Sequence, residues 1–82
     1  MTVYDEDIVE RIEQANGVAP SELAERLGIS QRTLRDHIRR INQTLDGAAR
    51  IPYMRTLGGY VLEVSNRQAL DAWLERRRSL LR

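Results

Sequence analysis

The sequence contains no cysteine, no phenylalanine and no lysine among its 82 residues, and it has only two prolines. The absence of cysteine excludes disulfides and thiolate-bound metal sites. No apolar run is long enough to span a bilayer and no signal peptide opens the chain, so we expect a cytoplasmic protein with no membrane partner. The length fits one small domain with a single modest core.

The net charge of +1 hides an uneven distribution of charge along the chain. Residues 1–25 hold seven acidic residues and one arginine, whereas residues 26–82 hold twelve arginines and five acidic residues. Arginine can form paired hydrogen bonds with a phosphate or a guanine, which lysine cannot do. The use of arginine for every basic residue can also reflect a GC-rich genome. These arginines can bind DNA whichever cause is correct.

The first amphipathic segment predicts a helix from about Val3 to Gln14. Thr2 can cap its first turn, with Asp5 three residues further on as in a capping box. Asn16 and Gly17 can end the helix, because glycine readily adopts a left-handed conformation. The predicted buried stripe of this helix consists of Tyr4, Ile8, Ile12 and Ala15.

Two further helices are predicted, from Pro20 to about Arg26 and from Gln31 to about Thr44. Proline is favourable at a first helical position, Gly28 suits the turn between the helices, and Ser30 can cap the third helix. Ala24 supplies the small residue that two steeply crossing helices need where they meet. The other residues predicted to face inward are Leu23, Leu27, Ile29, Leu34, Ile38, Ile41 and Leu45.

A hairpin is predicted next, with strands at Arg50–Met54 and Tyr60–Val64 and a tip at Arg55–Gly59. Pro52 indicates an edge strand or the start of a strand, because proline has no backbone N–H to donate. The alternation of residue types in the second strand predicts one half-buried face. That face consists of Tyr60, Leu62 and Val64.

The last segment predicts a fourth helix, capped by Ser65 with Gln68 completing a capping box. Leu70, Trp73 and Leu74 are expected to pack on the domain's own core, and Leu80 and Leu81 to contact a partner, either a second copy or a downstream sensor domain. The arginines of 76–78 suit the C-terminal end of a helix. They are also a candidate second contact to phosphate.

Together these segments predict a mainly α fold with a small β-hairpin. The arrangement is a winged helix-turn-helix with a three-helix core, a wing and an extra C-terminal helix. We expect residues 1–64 to form the winged helix-turn-helix domain. Residues 65–82 are expected to form a C-terminal helix that serves in packing, as a linker or in dimerisation.

The outer side of the third helix is the candidate functional surface. An α-helix fits the major groove of DNA and its N-terminal half usually reaches the bases, so we interpret Gln31, Arg32, Arg35 and Asp36 as base readers and the arginines at 39 and 40 as phosphate contacts. A charged outer face can also be merely solvated. The full set of candidate DNA-binding residues is Ser30, Gln31, Arg32, Arg35, Asp36, Arg39, Arg40, Arg55 and Thr56.

Three residues in this region raise separate questions. Arg55 at the hairpin tip can enter a narrow minor groove, to which arginine is attracted. Asp36 can orient Arg32 or Arg40 through helical pairs, or accept a hydrogen bond from cytosine. His37, the only histidine, is interpreted as a packing residue near the crossing with the second helix.

No catalytic set, metal site or cofactor is predicted, so we expect no enzymatic activity.

The segments LGISQRTLRDHIRRIN and LGGYVLEV resemble a known group of regulators. They are similar to the N-terminal winged helix of sugar-operon regulators with phosphotransferase-regulated (PRD) domains, and to the N-terminal domain of the biotin-operon repressor. The resemblance covers about residues 4–64 and implies a DNA-binding domain that often belongs to a longer regulator. Such families often have Arg-Asp where this chain has Asp36-His37. The matching residues are Ser30, Arg32, Thr33, Leu34, Arg35, Ile38, Asn42, Gly59, Tyr60 and Leu62.

The predicted function is therefore sequence-specific binding of double-stranded DNA as a transcription regulator of bacterial type. One alternative is a winged helix that binds another protein through the acidic first helix or through Leu80 and Leu81. A second alternative is the regulatory DNA-binding domain of a larger enzyme. The sequence leaves open the operator, the effector, the oligomeric state and the choice between activation and repression.

Overall fold

The computed structural model of the chain describes residues 4–15 and 17–80, without the side chain of Leu80. The helices in these residues are α1 Asp5–Gln14, α2 Pro20–Leu27, α3 Gln31–Leu45 and α4 Arg67–Leu80. Between α3 and α4 lie the short strands β1 Ala49–Arg50, β2 Tyr53–Met54, β3 Gly59–Tyr60 and β4 Glu63–Val64, with a 3₁₀ turn at Arg55–Leu57. This is the predicted winged helix-turn-helix with an additional C-terminal helix.

Helix α1 begins later than the sequence suggested. Its N-cap is Tyr4, in an extended conformation and without a side-chain hydrogen bond to the helix. The predicted cap, Thr2, lies outside the described residues, and the predicted pairing with Asp5 is wrong because Asp5 is the first helical residue. The expectation that Tyr4 is buried is also wrong, because it lies before the helix and outside its apolar stripe. The buried residues of α1 are Glu6, Ile8, Val9 and Ile12.

The turn between α2 and α3 follows the predicted chemistry. Gly28 ends α2 in a left-handed conformation with φ 70°, and its N–H contacts the carbonyl oxygens of Ala24 and Glu25. The side chain of Ser30 then caps α3, because its Oγ accepts a hydrogen bond of 3.1 Å from the backbone N–H of Thr33. These two local features set the direction in which α3 leaves the turn.

The core lies between all four helices and the hairpin. Every predicted apolar residue of α3 is buried in it, and Leu70, Trp73 and Leu74 of α4 join it as expected. Because these residues share one core, α4 is part of the same packing unit as α1–α3. Burial of each such side chain contributes about 1.5–3 kcal/mol to the stability of the fold. The buried apolar residues of α3 are Leu34, Ile38, Ile41 and Leu45.

The two strand pairs of the hairpin share one register, but the ladder of hydrogen bonds between them is interrupted. Ala49 pairs with Val64 and Met54 pairs with Gly59, and each step along one strand matches one step back along the other. Between the two strand pairs, the N–H of Val61 donates to the carbonyl oxygen of Pro52 at 3.1 Å. The ladder is broken there because proline cannot donate a hydrogen bond.

A single β-bridge joins the hairpin to the helical part of the domain. Val18, in the loop between α1 and α2, exchanges two hydrogen bonds with Tyr60, at 3.0 and 2.9 Å. A Cβ atom on Gly59 would lie 2.0 Å from the carbonyl oxygen of Val18, so only glycine allows this approach. The contact holds the tip-side half of the hairpin against the α1–α2 loop.

Two predictions for the C-terminal part are wrong. Tyr60 is buried and Leu62 is half-buried, as predicted, but Val61 is buried and Val64 is exposed, against the predicted alternation, because the break at Pro52 separates the two halves of the hairpin. The cap of α4 is Asn66, whose side-chain oxygen accepts from the N–H of Ala69 at 3.1 Å. Ser65 does not cap the helix; its N–H donates to the hairpin end at Ala48.

Candidate nucleic-acid interface

The side of α3 opposite its buried stripe is open to solvent over the whole helix. At about 100° per residue, its exposed face points away from the core. We use this name, the exposed face of α3, for Arg32, Arg35, Asp36, Arg39, Arg40 and Gln43, all of which are exposed. The other candidate DNA-binding residues, Ser30, Gln31, Arg55 and Thr56, are exposed as well.

Two half-buried polar residues lie on the flanks of the exposed face. On one flank, His37 faces α1, with its ring Nδ1 3.9 Å from the carboxylate of Asp5. On the other flank, Asn42 faces the hairpin and forms two hydrogen bonds with the backbone of Ile51, at 2.7 and 3.3 Å. The orientation of α3 is therefore held from both sides, which keeps its outer surface clear.

The arginines of the exposed face have no acidic partners among the residues that the structure describes. Among the described residues, no carboxylate oxygen lies within 4.0 Å of the guanidinium groups of Arg32, Arg35 and Arg39. Asp36, the one acid of this face, forms no ion pair with Arg32 or Arg40, so the predicted helical pairs are wrong. Arg40 instead contacts His37, with its Nη2 2.6 Å from Nδ1 of the ring.

Three of the five acidic residues of α1 pair with arginines of α4. Glu13 pairs with Arg67 at 2.9 Å, Asp5 pairs with Arg77 at 3.2 Å, and Glu10 pairs with Arg78. The side-chain hydrogen bond with Glu13, followed by the charge of Glu13, raises the pKa of Arg67 above its ordinary value. Two of the three arginines of 76–78, which the sequence offers as a second phosphate contact, are therefore already paired with carboxylates of α1.

The stacking of Arg77 strengthens the contact between α4 and α1. Its guanidinium lies 4.5 Å from the centroid of the Trp73 ring, while also pairing with Asp5. A cation over an indole ring gains about 0.5–1 kcal/mol at an exposed site. Arg77 thus bridges the core of α4 and the first turn of α1, on the same side of α3 as His37.

The hairpin tip forms a second exposed basic element. Arg55 and Thr56 lie in the 3₁₀ turn, which Gly58 closes in a left-handed conformation with φ 79°. Among the described residues, no hydrogen bond or ion pair joins these two residues to the exposed face of α3. The tip is held instead by the α1–α2 loop, where a Cβ atom on Gly17 would lie 2.1 Å from the carbonyl oxygen of Leu57.

Sequence reasoning missed two residues that position this surface. Asn42 lies where its amide can satisfy both backbone groups of Ile51, next to the proline that interrupts the strand. A polar residue beside an apolar helical stripe is the signal that could have identified it. Val18 had no comparable signal, because a single bridging residue has no periodicity.

His37 was predicted to face α2, and its nearest carboxylate is instead that of Asp5 in α1. No group of three or more residues that could hold a metal ion occurs in the part of the chain that the structure describes. In the same residues, no helix is long and apolar enough to cross a bilayer.

The sequence model of a family described as "HTH domain" matches residues 5–60. The match includes α1, α2, α3 and the hairpin as far as Tyr60, which is more than half of the chain. The chain therefore belongs to this family, and it is a DNA-binding helix-turn-helix domain of the winged type. Neither the curated proteins nor the solved structures compared with the chain include a significant match.

Proposed function

We propose that this protein binds double-stranded DNA in a sequence-specific manner and regulates transcription from the cytoplasm, without enzymatic activity of its own. The exposed face of α3 enters the major groove and the hairpin tip follows the backbone or enters the minor groove. One observation supports this most directly: the arginines of α3 lie on an open face, and no carboxylate in the described part of the chain pairs with them. Those that pair with carboxylates lie elsewhere, in α2, β1 and α4.

The proposed roles follow position along the helix. The N-terminal half of a groove-inserted helix reaches the base edges, so Gln31, Arg32, Arg35 and Asp36 are assigned to base reading. Ser30 caps the helix beside the DNA and is placed to contact phosphate. Further along the helix, Arg39 and Arg40 are assigned to the phosphate backbone, as are Arg55 and Thr56 from the hairpin tip.

The test begins with selection of bound duplexes from a random library, followed by affinity measurements on the selected site. Arg35→Ala should weaken binding by about 1–3 kcal/mol and relax preference at one base pair. Arg39→Ala should weaken binding to all duplexes alike and reduce the salt slope by about one. The matched control is Arg11→Ala, which removes the same charge from an exposed position of α1.

The control should change affinity far less than either variant of α3. If Arg35→Ala and Arg39→Ala both bind as tightly as the unmodified protein, α3 is not the DNA-binding element. If the library yields no bound duplex even at low salt, where electrostatic binding is strongest, the proposed function itself is wrong.

The alternative in which the acidic first helix binds another protein receives less support. Three acids of α1 already pair with arginines of α4, so this helix does not offer them to a partner. The division of the chain at residue 64 stays a prediction. A partner for Leu80 and Leu81 also stays a prediction, because Leu81 and the side chain of Leu80 lie outside the described residues.

A further inference from the structure

His37 and Arg40 form a contact that bears on the proposed DNA surface. The Nη2 atom of Arg40 lies 2.6 Å from Nδ1 of His37, within hydrogen-bond distance. An arginine can only donate hydrogen bonds, so in this contact Nδ1 is the acceptor and the ring is in its neutral, Nε2-protonated form. The contact therefore exists only while His37 is uncharged.

The position of the ring explains why this contact matters for DNA. At about 100° per residue, His37 lies between Arg40 and the buried stripe of α3. The half-buried ring faces the carboxylate of Asp5, which pairs with Arg77 of α4. Arg40 bonded to this ring is drawn toward α1, away from the centre of the exposed face.

Protonation of His37 reverses these interactions. A protonated imidazole has two N–H donors and no acceptor, so the hydrogen bond from Arg40 is lost and two cations face each other. The carboxylate of Asp5, 3.9 Å from Nδ1, attracts the charged ring away from Arg40. Asp5 has the only carboxylate oxygen within 4.0 Å of a ring nitrogen among the described residues.

We propose that neutral His37 holds the guanidinium of Arg40 away from DNA and that protonation of His37 releases it to contact a phosphate. His37 is thus a positioning residue that makes DNA affinity depend on pH. This inference rests on the proposed function, since it concerns the same exposed face. His37 is the only histidine in this chain.

The experiment measures binding of the full chain to a fluorescein-labelled duplex selected from the random library, at about pH 8 and about pH 5.5 and over a series of salt concentrations. At the lower pH the affinity of the unmodified protein should rise several-fold. The plot of log affinity against log salt should become steeper by about 0.9, the value for one more phosphate contact on B-form DNA.

Two variants separate this mechanism from a general effect of acid. In Arg40→Ala, which changes an exposed side chain, the rise in affinity and the steeper salt slope should both disappear. In His37→Ala the acceptor is gone, so the protein should bind at both pH values as tightly as the unmodified protein does at the lower pH. Circular dichroism of each variant at both pH values checks that the fold is retained.

The outcomes distinguish this inference from the function on which it rests. Tight, specific binding that does not change with pH overturns the role of His37 and leaves the proposed function standing. A pH dependence that persists in Arg40→Ala also overturns it, because the added charge then acts without Arg40. Failure to bind any selected duplex at either pH overturns both proposals.

Discussion

The side-chain amide of Asn42 forms a closed pair of hydrogen bonds with the backbone of Ile51, accepting from its N–H at 2.7 Å and donating to its carbonyl oxygen at 3.3 Å. This pair joins α3 to the hairpin strand that follows it. Because the neighbouring Pro52 has no N–H, the strand has few backbone hydrogen bonds of its own at this point. The amide of Asn42 replaces them and fixes the angle between α3 and the hairpin.

Replacing Asn42 by alanine should therefore destabilise the domain. The buried N–H of Ile51 loses its acceptor, which costs about 1–3 kcal/mol. Urea denaturation followed by circular dichroism measures the free energy of unfolding. The control is Gln43→Ala at the exposed neighbouring position, where a change within about 0.5 kcal/mol is expected. Equal stability of the two variants would show that the amide pair does not matter.

Replacing Gly59 by alanine should detach the hairpin from the α1–α2 loop. The new Cβ atom would lie 2.0 Å from the backbone oxygen of Val18 and cannot avoid it by rotating. Amide hydrogen exchange should then show loss of protection at the N–H groups of Val18 and Tyr60. The control is Thr56→Ala, which shortens an exposed side chain of the same hairpin, so any loss of protection there at Val18 and Tyr60 would contradict the explanation.

Helix α4 should contribute to the stability of the whole domain through Leu70, which has no exposed surface. Leu70→Ala should cost about 2–5 kcal/mol, as for other large-to-small changes in a core. The same change at Leu57, which is 41% exposed at the hairpin tip, should cost far less. Thermal and urea denaturation compare the free energies of unfolding of the two variants. A mild effect of Leu70→Ala would mean that α4 does not contribute to the stability of the domain.

The hairpin tip should add affinity that depends on the shape of the minor groove. Narrow grooves of A·T-rich sequence attract arginine, so Arg55→Ala should weaken binding most for duplexes with such a flank beside the α3 site. The measurement compares two duplexes that differ only in that flank. Arg50→Ala is the control, because Arg50 already pairs with Glu63 at 2.8 Å. Equal losses on both duplexes would place Arg55 on the backbone alone.

Much of the helical framework could be predicted because its causes are local. Pro20, Gly28 and Ser30 act on backbone groups within one turn of the chain, so the bounds of α2 and the start of α3 were predicted closely. The buried stripe of α3 follows from helical periodicity. The exposed face follows in turn, since it is the opposite side of the same helix.

The errors occur where a distant part of the chain decides the outcome. Asn66 rather than Ser65 caps α4, in a turn where the N–H groups of both residues donate to the carbonyl oxygen of the distant Ala48. Val61 rather than Val64 is buried, because the hairpin is broken at Pro52 and packed against the core on one side only. Neither choice can be inferred from neighbours three or four residues away.

The sequence by itself determined which segments are helical, which face of α3 is apolar and that the basic residues are arginine. Only the tertiary structure decided which arginines are neutralised and which stay available for DNA. The physical reason is that an ion pair such as Asp5 with Arg77 joins residues far apart in the chain. Helical periodicity and capping act within a few residues, whereas pairing of charges depends on which surfaces the folded core brings together.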